Sequence, residues 1–200
     1  KTRHPSTTVV VHPLDVVAYD TIPGVIAACA EDLGGLDILF ANAGISRGEK
    51  VGQGRFDKAR LTIETNLLGA MAAIDAAMAH FLEQGHGHVV GVASFTAFRG
   101  MPRMASYCAS KAGLAIYLES LRAEVLRKDI HVTVLYPGYI DTPLNSMLKS
   151  RPFVISAEKG AVLIAGMIER RVKRSTVPVW PWCLLGRILK WLPTRVIARF

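Results

Sequence analysis

The stretch that decides the fold is Ser106-Tyr107-Cys108-Ala109-Ser110-Lys111-Ala112-Gly113-Leu114. Wound as a helix, it projects Tyr107 and Lys111, four residues apart, from nearly one face, a turn above each other. A phenol and an ammonium are thereby held together. The cation favours the phenolate and lowers a tyrosine pKa from its usual value of about 10 toward working pH, which makes the pair an acid/base device. Solvated helix faces carry such pairs by chance, so the rest of the chain has to decide.

Upstream, Asn42-Ala43-Gly44 follows the strand-like run Leu36–Phe40, Asn66 sits inside a helical pattern, and Ser94 ends the apolar run Val89–Ala93. Downstream, Pro137-Gly138 follows Ile130–Leu135, with Thr142 behind it. In open parallel sheets, ligands bind at the carboxyl ends of strands, where small residues let the backbone approach closely. Ser94 precedes Tyr107 by thirteen residues, and Asn66 precedes Ser94 by twenty-eight.

This ordered set, from about Thr8 to Thr142, resembles the short-chain dehydrogenase/reductase family. The resemblance implies a Rossmann-like, doubly wound parallel sheet in a three-layer α/β/α fold. It also implies NAD or NADP as cofactor, and hydride transfer between the nicotinamide and a small alcohol or ketone. Tyr107 would be the general acid/base, Lys111 its partner and a ribose ligand, and Ser94 the donor to the carbonyl oxygen. Asn66 would anchor a proton relay on a local helix irregularity. Asp15, after the β-branched run Thr7–Val11, would hold the adenine end, or else cap its own turn. Asn42, Ala43, Gly44, Pro137, Gly138, Ile140 and Thr142 would line the cofactor, Ile140 through its backbone. In the family the Tyr107–Lys128 and Lys58–Gln84 helices pack against a twin subunit, so a homodimer or homotetramer is expected.

The family's opening Thr-Gly-x-x-x-Gly-x-Gly turn, which cradles the pyrophosphate at a helix N-terminus, does not occur in the sequence. The resemblance therefore implies a partial Rossmann domain over residues 1–175 that lacks its first βαβ portion, and a segment inactive by itself. It would leave Thr7–Val11 an unpaired strand in an open-edged sheet. An inactive, cofactor-free fragment or pseudoenzyme is one rival reading, and a membrane-surface interaction module through the basic C-terminal tail is another.

Half of the 200 residues are hydrophobic, enough for one substantial core. Three cysteines, Cys29, Cys108 and Cys183, are too few and scattered for a disulfide framework or a metal site, which points to a reducing cytoplasmic setting without metal. The +8 net charge is not spread as a nucleic-acid surface would need. After Glu169 there are eight basic residues and no acidic one, which accounts for the whole excess. The extension 176–200 combines Trp180, Trp182 and Trp191 with leucines and isoleucines, and Pro193 divides it into two short basic amphipathic segments. It is read as a peripheral membrane contact or a packing element, since no uninterrupted apolar run is long enough to span a bilayer.

Overall fold

Apolar residues on both sides of one strand require helices on both faces of the sheet. The computed structural model, which describes residues 7–146, 148 and 150–199, meets this requirement. Lys1–Ser6, Met147 and Lys149 of the variable substrate lid that the resemblance implies over Asn145–Ile155, and Phe200 lie outside the described residues. Strands β1 (Ile38–Ala41), β2 (His86–Val92), β3 (Asp129–Pro137) and β4 (Arg174–Val177) form one parallel sheet in the order β1-β2-β3-β4. Phe40 lies opposite Val90, Val90 opposite Thr133, and Tyr136 opposite Thr176.

The strands send alternate side chains to two cores. Val89, Val132 and Val134 meet α1 (Ile22–Leu33), α3 (Gly69–Gln84) and α4 (Ala105–Glu124) in the larger one. Val90, Leu135 and Val177 meet Met167, Leu163 and Ile164 of α5 (Ala157–Glu169) in the smaller one. The layers are thus helix, sheet, helix. Leu114, Leu118, Leu121 and Val125, spaced along one face of α4 and its end, all lie in the larger core. Gly91 lets Leu118 reach the sheet, since a Cβ there would come within 2.3 Å of it.

The long helical run divides into α2 (Phe56–Ile63), one π-helical turn at Glu64–Leu68, and α3. By length and composition the stretch Phe56–Gln84 could cross a bilayer. Here it serves as a core helix, with Ala70, Ala73, Ile74, Ala77, Met78 and Phe81 buried against the sheet. Gly34, left-handed at φ 74°, ends α1 where the sequence places a stop. Ser156 caps α5 by accepting the Lys159 N–H at 3.2 Å.

Thr7–Val11 pairs with no strand, as the resemblance implies, but it is not a strand itself, and Val9 and Val11 are 67% and 84% exposed. An extended segment without a neighbouring strand gains no ladder bonds, and no strand among the described residues lies along the free edge of β1. His86 and His88 belong to β2. The His88 Nε2 lies 2.8 Å from the Thr133 hydroxyl, which itself donates to the Val172 carbonyl, so this histidine is a satisfied core residue.

The last strand, Arg174–Val177, crosses the expected 175/176 boundary between domain and extension. Beyond it, Pro193 separates α6 (Trp182–Trp191) from α7 (Thr194–Ile197). Helix α6 has two apolar faces. Trp182 and Gly186 are buried, whereas Trp191 is 88% exposed and Leu184 and Ile188 are also exposed.

Candidate active site

β2 ends one residue before Ala93, and α4 begins at Ala105, so the strand end and the first helical turn bring Ser94 and Tyr107 together. Both are buried. Ser94 opens the 3-10 turn Phe95–Phe98, and its Oγ accepts from the Thr96 N–H at 3.2 Å and lies 3.0 Å from the Thr96 hydroxyl. Lys111, one turn beyond Tyr107, is buried with its Nζ 6.0 Å from the Tyr107 ring centroid, and it donates to the Val92 carbonyl at 2.7 Å. Tyrosine, serine and lysine thus converge at the carboxyl end of β2.

The electrostatics differ from the expectation for a surface pair. Burial holds the Tyr107 phenol above its ordinary value, with a hydrogen bond from Ser94 acting in the opposite direction. Burial also pushes the Lys111 ammonium down to about 8. Desolvation disfavours both charged forms, and here it outweighs the mutual attraction that favours phenolate beside ammonium. At neutral pH Tyr107 is therefore a protonated phenol, poised to give a proton.

Asn66 is fully buried in the π turn. Its Oδ1 accepts the Ile45 N–H at 2.7 Å, and its Nδ2 donates to the Ile45 carbonyl at 2.8 Å and to Ser110 Oγ at 3.2 Å. Ser110 in turn donates to the Tyr107 carbonyl at 2.8 Å. Asn66 thus ties the loop after β1 to α4. Gly44 lies against this junction, where a Cβ would sit 3.2 Å from Asn66 Oδ1 and 3.4 Å from Lys111 Nζ. Asn42 and Ala43 follow β1 directly and are exposed.

The remaining expected cofactor residues lie on neighbouring segments. Asp15 accepts the Val17 N–H at 3.1 Å and so caps its own turn, which packs on α3 where Gly69 leaves room for Val16. Pro137 ends β3. Gly138 follows it, and a Cβ there would lie 2.1 Å from the Trp182 ring. Ile140 bridges Ile155 of the lid, and its carbonyl accepts from Asn145 Nδ2 at 2.7 Å. Thr142 is half-buried just ahead of the lid, where its carbonyl accepts the Asn145 N–H at 3.2 Å.

The half of the site that would face a nicotinamide ribose fits that group, because Gly44, without a side chain, lets the loop after β1 come close to Lys111, whose ammonium has N–H donors to spare. The pyrophosphate half has no counterpart among the described residues. The Gly-x-x-x-Gly-x-Gly spacing does occur at Gly48, Gly52 and Gly54, without the threonine. These glycines have positive φ, 53°, 85° and 67°, but their loop carries the buried carboxylate of Glu49, which opposes an anion.

Several residues of the site carry no sequence signal. Ser110 lies inside the deciding stretch, yet its role shows only once Asn66 is seen to reach it. Trp182 reads as part of a basic tail, and the fold buries it among Phe95, Tyr139 and Phe153, with ring centroids 4.7, 5.7 and 6.3 Å away. Its indole N–H is buried and has no partner among the described residues. Glu49 sits in a polar glycine loop, where no periodicity distinguishes it. Cys108, beside Tyr107 in sequence, is buried as expected.

The comparisons bear on the family and the fold. The family model described as short chain dehydrogenase matches residues 1–152. An uncharacterized oxidoreductase of Mycobacterium tuberculosis is 38% identical over 199 residues, covering 99% of this chain and 79% of that protein. Another, from Myxococcus xanthus, is 34% identical and covers 90% of this chain and 71% of its own length. Among solved structures, carveol dehydrogenase from Mycobacterium avium in complex with NAD superposes with a TM-score of 0.63 at 27% identity, over 66% of this chain and 48% of that one. A short chain dehydrogenase from Mycobacterium paratuberculosis bound to NAD gives a TM-score of 0.72 at 21% identity, over 82% and 70%, and supports the fold alone. The chain belongs to the short-chain dehydrogenase family.

Proposed function

We propose that the protein is an oxidoreductase that uses NAD or NADP to interconvert a carbonyl and an alcohol on a small apolar substrate, with Tyr107 as proton donor. The observation that carries this reading is the convergence of buried Tyr107, Ser94 and Lys111 at the carboxyl end of β2. The bound nicotinamide supplies the hydride. Tyr107, protonated at neutral pH, gives its proton to the carbonyl oxygen, toward which the Ser94 hydroxyl also donates a hydrogen bond. Lys111 keeps one N–H on the Val92 carbonyl and has others left for the ribose hydroxyls. Asn66 and Ser110 hold the Tyr107 backbone.

The aromatic cluster of Phe95, Tyr139, Phe153 and Trp182 beside Ser94 supports an apolar substrate. The likeness to a dehydrogenase named for carveol, a cyclic apolar alcohol, supports the same class. Exposed Phe56, Leu68 and Ile116 on the long helical run and on α4 support a homodimer through that face. The test is deuterium transfer from C4-labelled NADH and NADPH to a panel of cyclic and linear ketones, using the full-length protein. Label in the product alcohol supports the reading, and its absence across the panel with both cofactors overturns it.

The tail favours a second contact, with a membrane surface, for a protein that is otherwise cytoplasmic. Trp182 and Gly186 dock α6 on the body, so its other apolar face, Leu184, Ile188 and Trp191, is left outward with Arg187 and Lys190 on one flank. Trp180, 70% exposed, adds to it. An exposed apolar face edged by cations suits an anionic lipid surface.

A further inference from the structure

Helix α4 carries the catalytic tyrosine in its first turn, but the residue before it, Met104, makes no side-chain cap. The cap comes instead from a residue fifty-seven positions away. Glu49 Oε1 accepts the Ser106 N–H at 2.8 Å, and the Glu49 backbone is fixed by its own N–H donating to the Arg103 carbonyl at 3.1 Å and by a bridge to Met104. The positive φ of Gly48, Gly52 and Gly54 lets this loop double back so that the carboxylate reaches the helix.

A carboxylate at a helix N-terminus is favourable, since it satisfies an orphan donor and meets the positive end of the dipole. Yet Glu49 is only 6% exposed, and its Oε2 has no partner among the described residues; neither has the buried Ser106 hydroxyl beside the capping bond. Burying a charge with half of its acceptors unpaired is costly. That cost gives no reason for Glu49 to be held there.

Its location does. The Ser106 N–H bonded by Glu49 lies on the N-terminal flank of Tyr107, and the Tyr107 carbonyl, on the other flank, accepts from Ser110, which Asn66 engages. Asn66 also grips Ile45. The loop that runs from Gly44 through Gly54 is thus fastened to α4 on both sides of the tyrosine. We propose that Glu49 is a positioning residue that fixes the first turn of α4, and with it the Tyr107 hydroxyl, relative to Ser94. The proposal builds on the assignment of Tyr107 as proton donor.

The test compares Glu49→Ala and Glu49→Gln in the full-length protein, by amide hydrogen exchange and by turnover on the best ketone of the panel. In Glu49→Ala the amides of residues 106–108 should exchange more than about tenfold faster while β2 and β3 keep their protection. Its kcat should fall about tenfold with the KM for nicotinamide cofactor little changed, because the reacting geometry loosens and the binding surface does not. Glu49→Gln retains an acceptor for the Ser106 N–H and should restore both protection and kcat. Unchanged exchange in Glu49→Ala, unchanged kcat despite faster exchange, a Gln variant no better than Ala, or loss of protection across the whole sheet would each overturn it. If the panel yields no turnover the Tyr107 assignment fails, whereas the exchange data still decide whether Glu49 holds the helix.

Discussion

At the scale of single residues, burial decides the chemistry. The tyrosine–lysine spacing was legible in the sequence, and so were Ser94 and Asn66, because spacing survives folding. The direction of the tyrosine shift was not, because it depends on how much water the fold removes. Lys111, with its ammonium pushed down to about 8 by burial, loses its proton as pH rises through that value. Carbonyl reduction should therefore hold steady from neutral pH to about 8 and then decline with one titrating group. A pH profile of kcat/KM flat beyond pH 9, about a unit above that value, would contradict the buried ammonium. His88 offers a stability counterpart. Burial, helped by His131 and Arg171, lowers its pKa from 6.5 to about 4, so the unfolded chain binds the proton more readily between those values. Stability should fall as pH drops from about 6.5 toward 4, and His88→Gln should flatten that limb in chemical denaturation measured across the range.

At the scale of elements, α6 is the part whose role the sequence left open. Its apolar residues fit two readings, and the fold assigns one face to each. The inward face closes on Gly138, where a Cβ would meet the Trp182 ring at 2.1 Å, and on Phe98, where a Cβ on Gly186 would come within 2.7 Å. Gly138→Ala should then destabilise the protein by about 1–3 kcal/mol, because the indole is enclosed and cannot give way. Urea denaturation would check this, and a loss below about 0.5 kcal/mol would mean that the tail repacks freely. Thr7–Val11 shows the opposite case. Its β-branched run reads as a strand, but strand formation depends on a partner edge that local sequence does not encode.

For the whole molecule, the charge excess was legible in the tail, and the parallel sheet, which the family resemblance implied, is the one the fold shows. The Glu49 clamp was out of reach, since contacts between loops and helix ends depend on the finished fold. If the outward face of α6 meets lipid, the full-length protein should co-sediment with anionic vesicles more than with neutral ones, and deletion of residues 180–200 or Trp191→Ala should weaken that binding. Equal binding to both lipids would leave α6 as a packing element alone. The central claim is that Tyr107 gives the proton in a nicotinamide-linked reduction. The most direct measurement is turnover of the Tyr107→Phe variant of the full-length protein, followed by nicotinamide absorbance, alongside cofactor binding by fluorescence. The account predicts at least about a hundredfold loss of kcat with cofactor affinity within about threefold of wild type, because only the proton-donating oxygen is removed. Retention of more than about a tenth of wild-type turnover, with the chemical step rate-limiting, would contradict it.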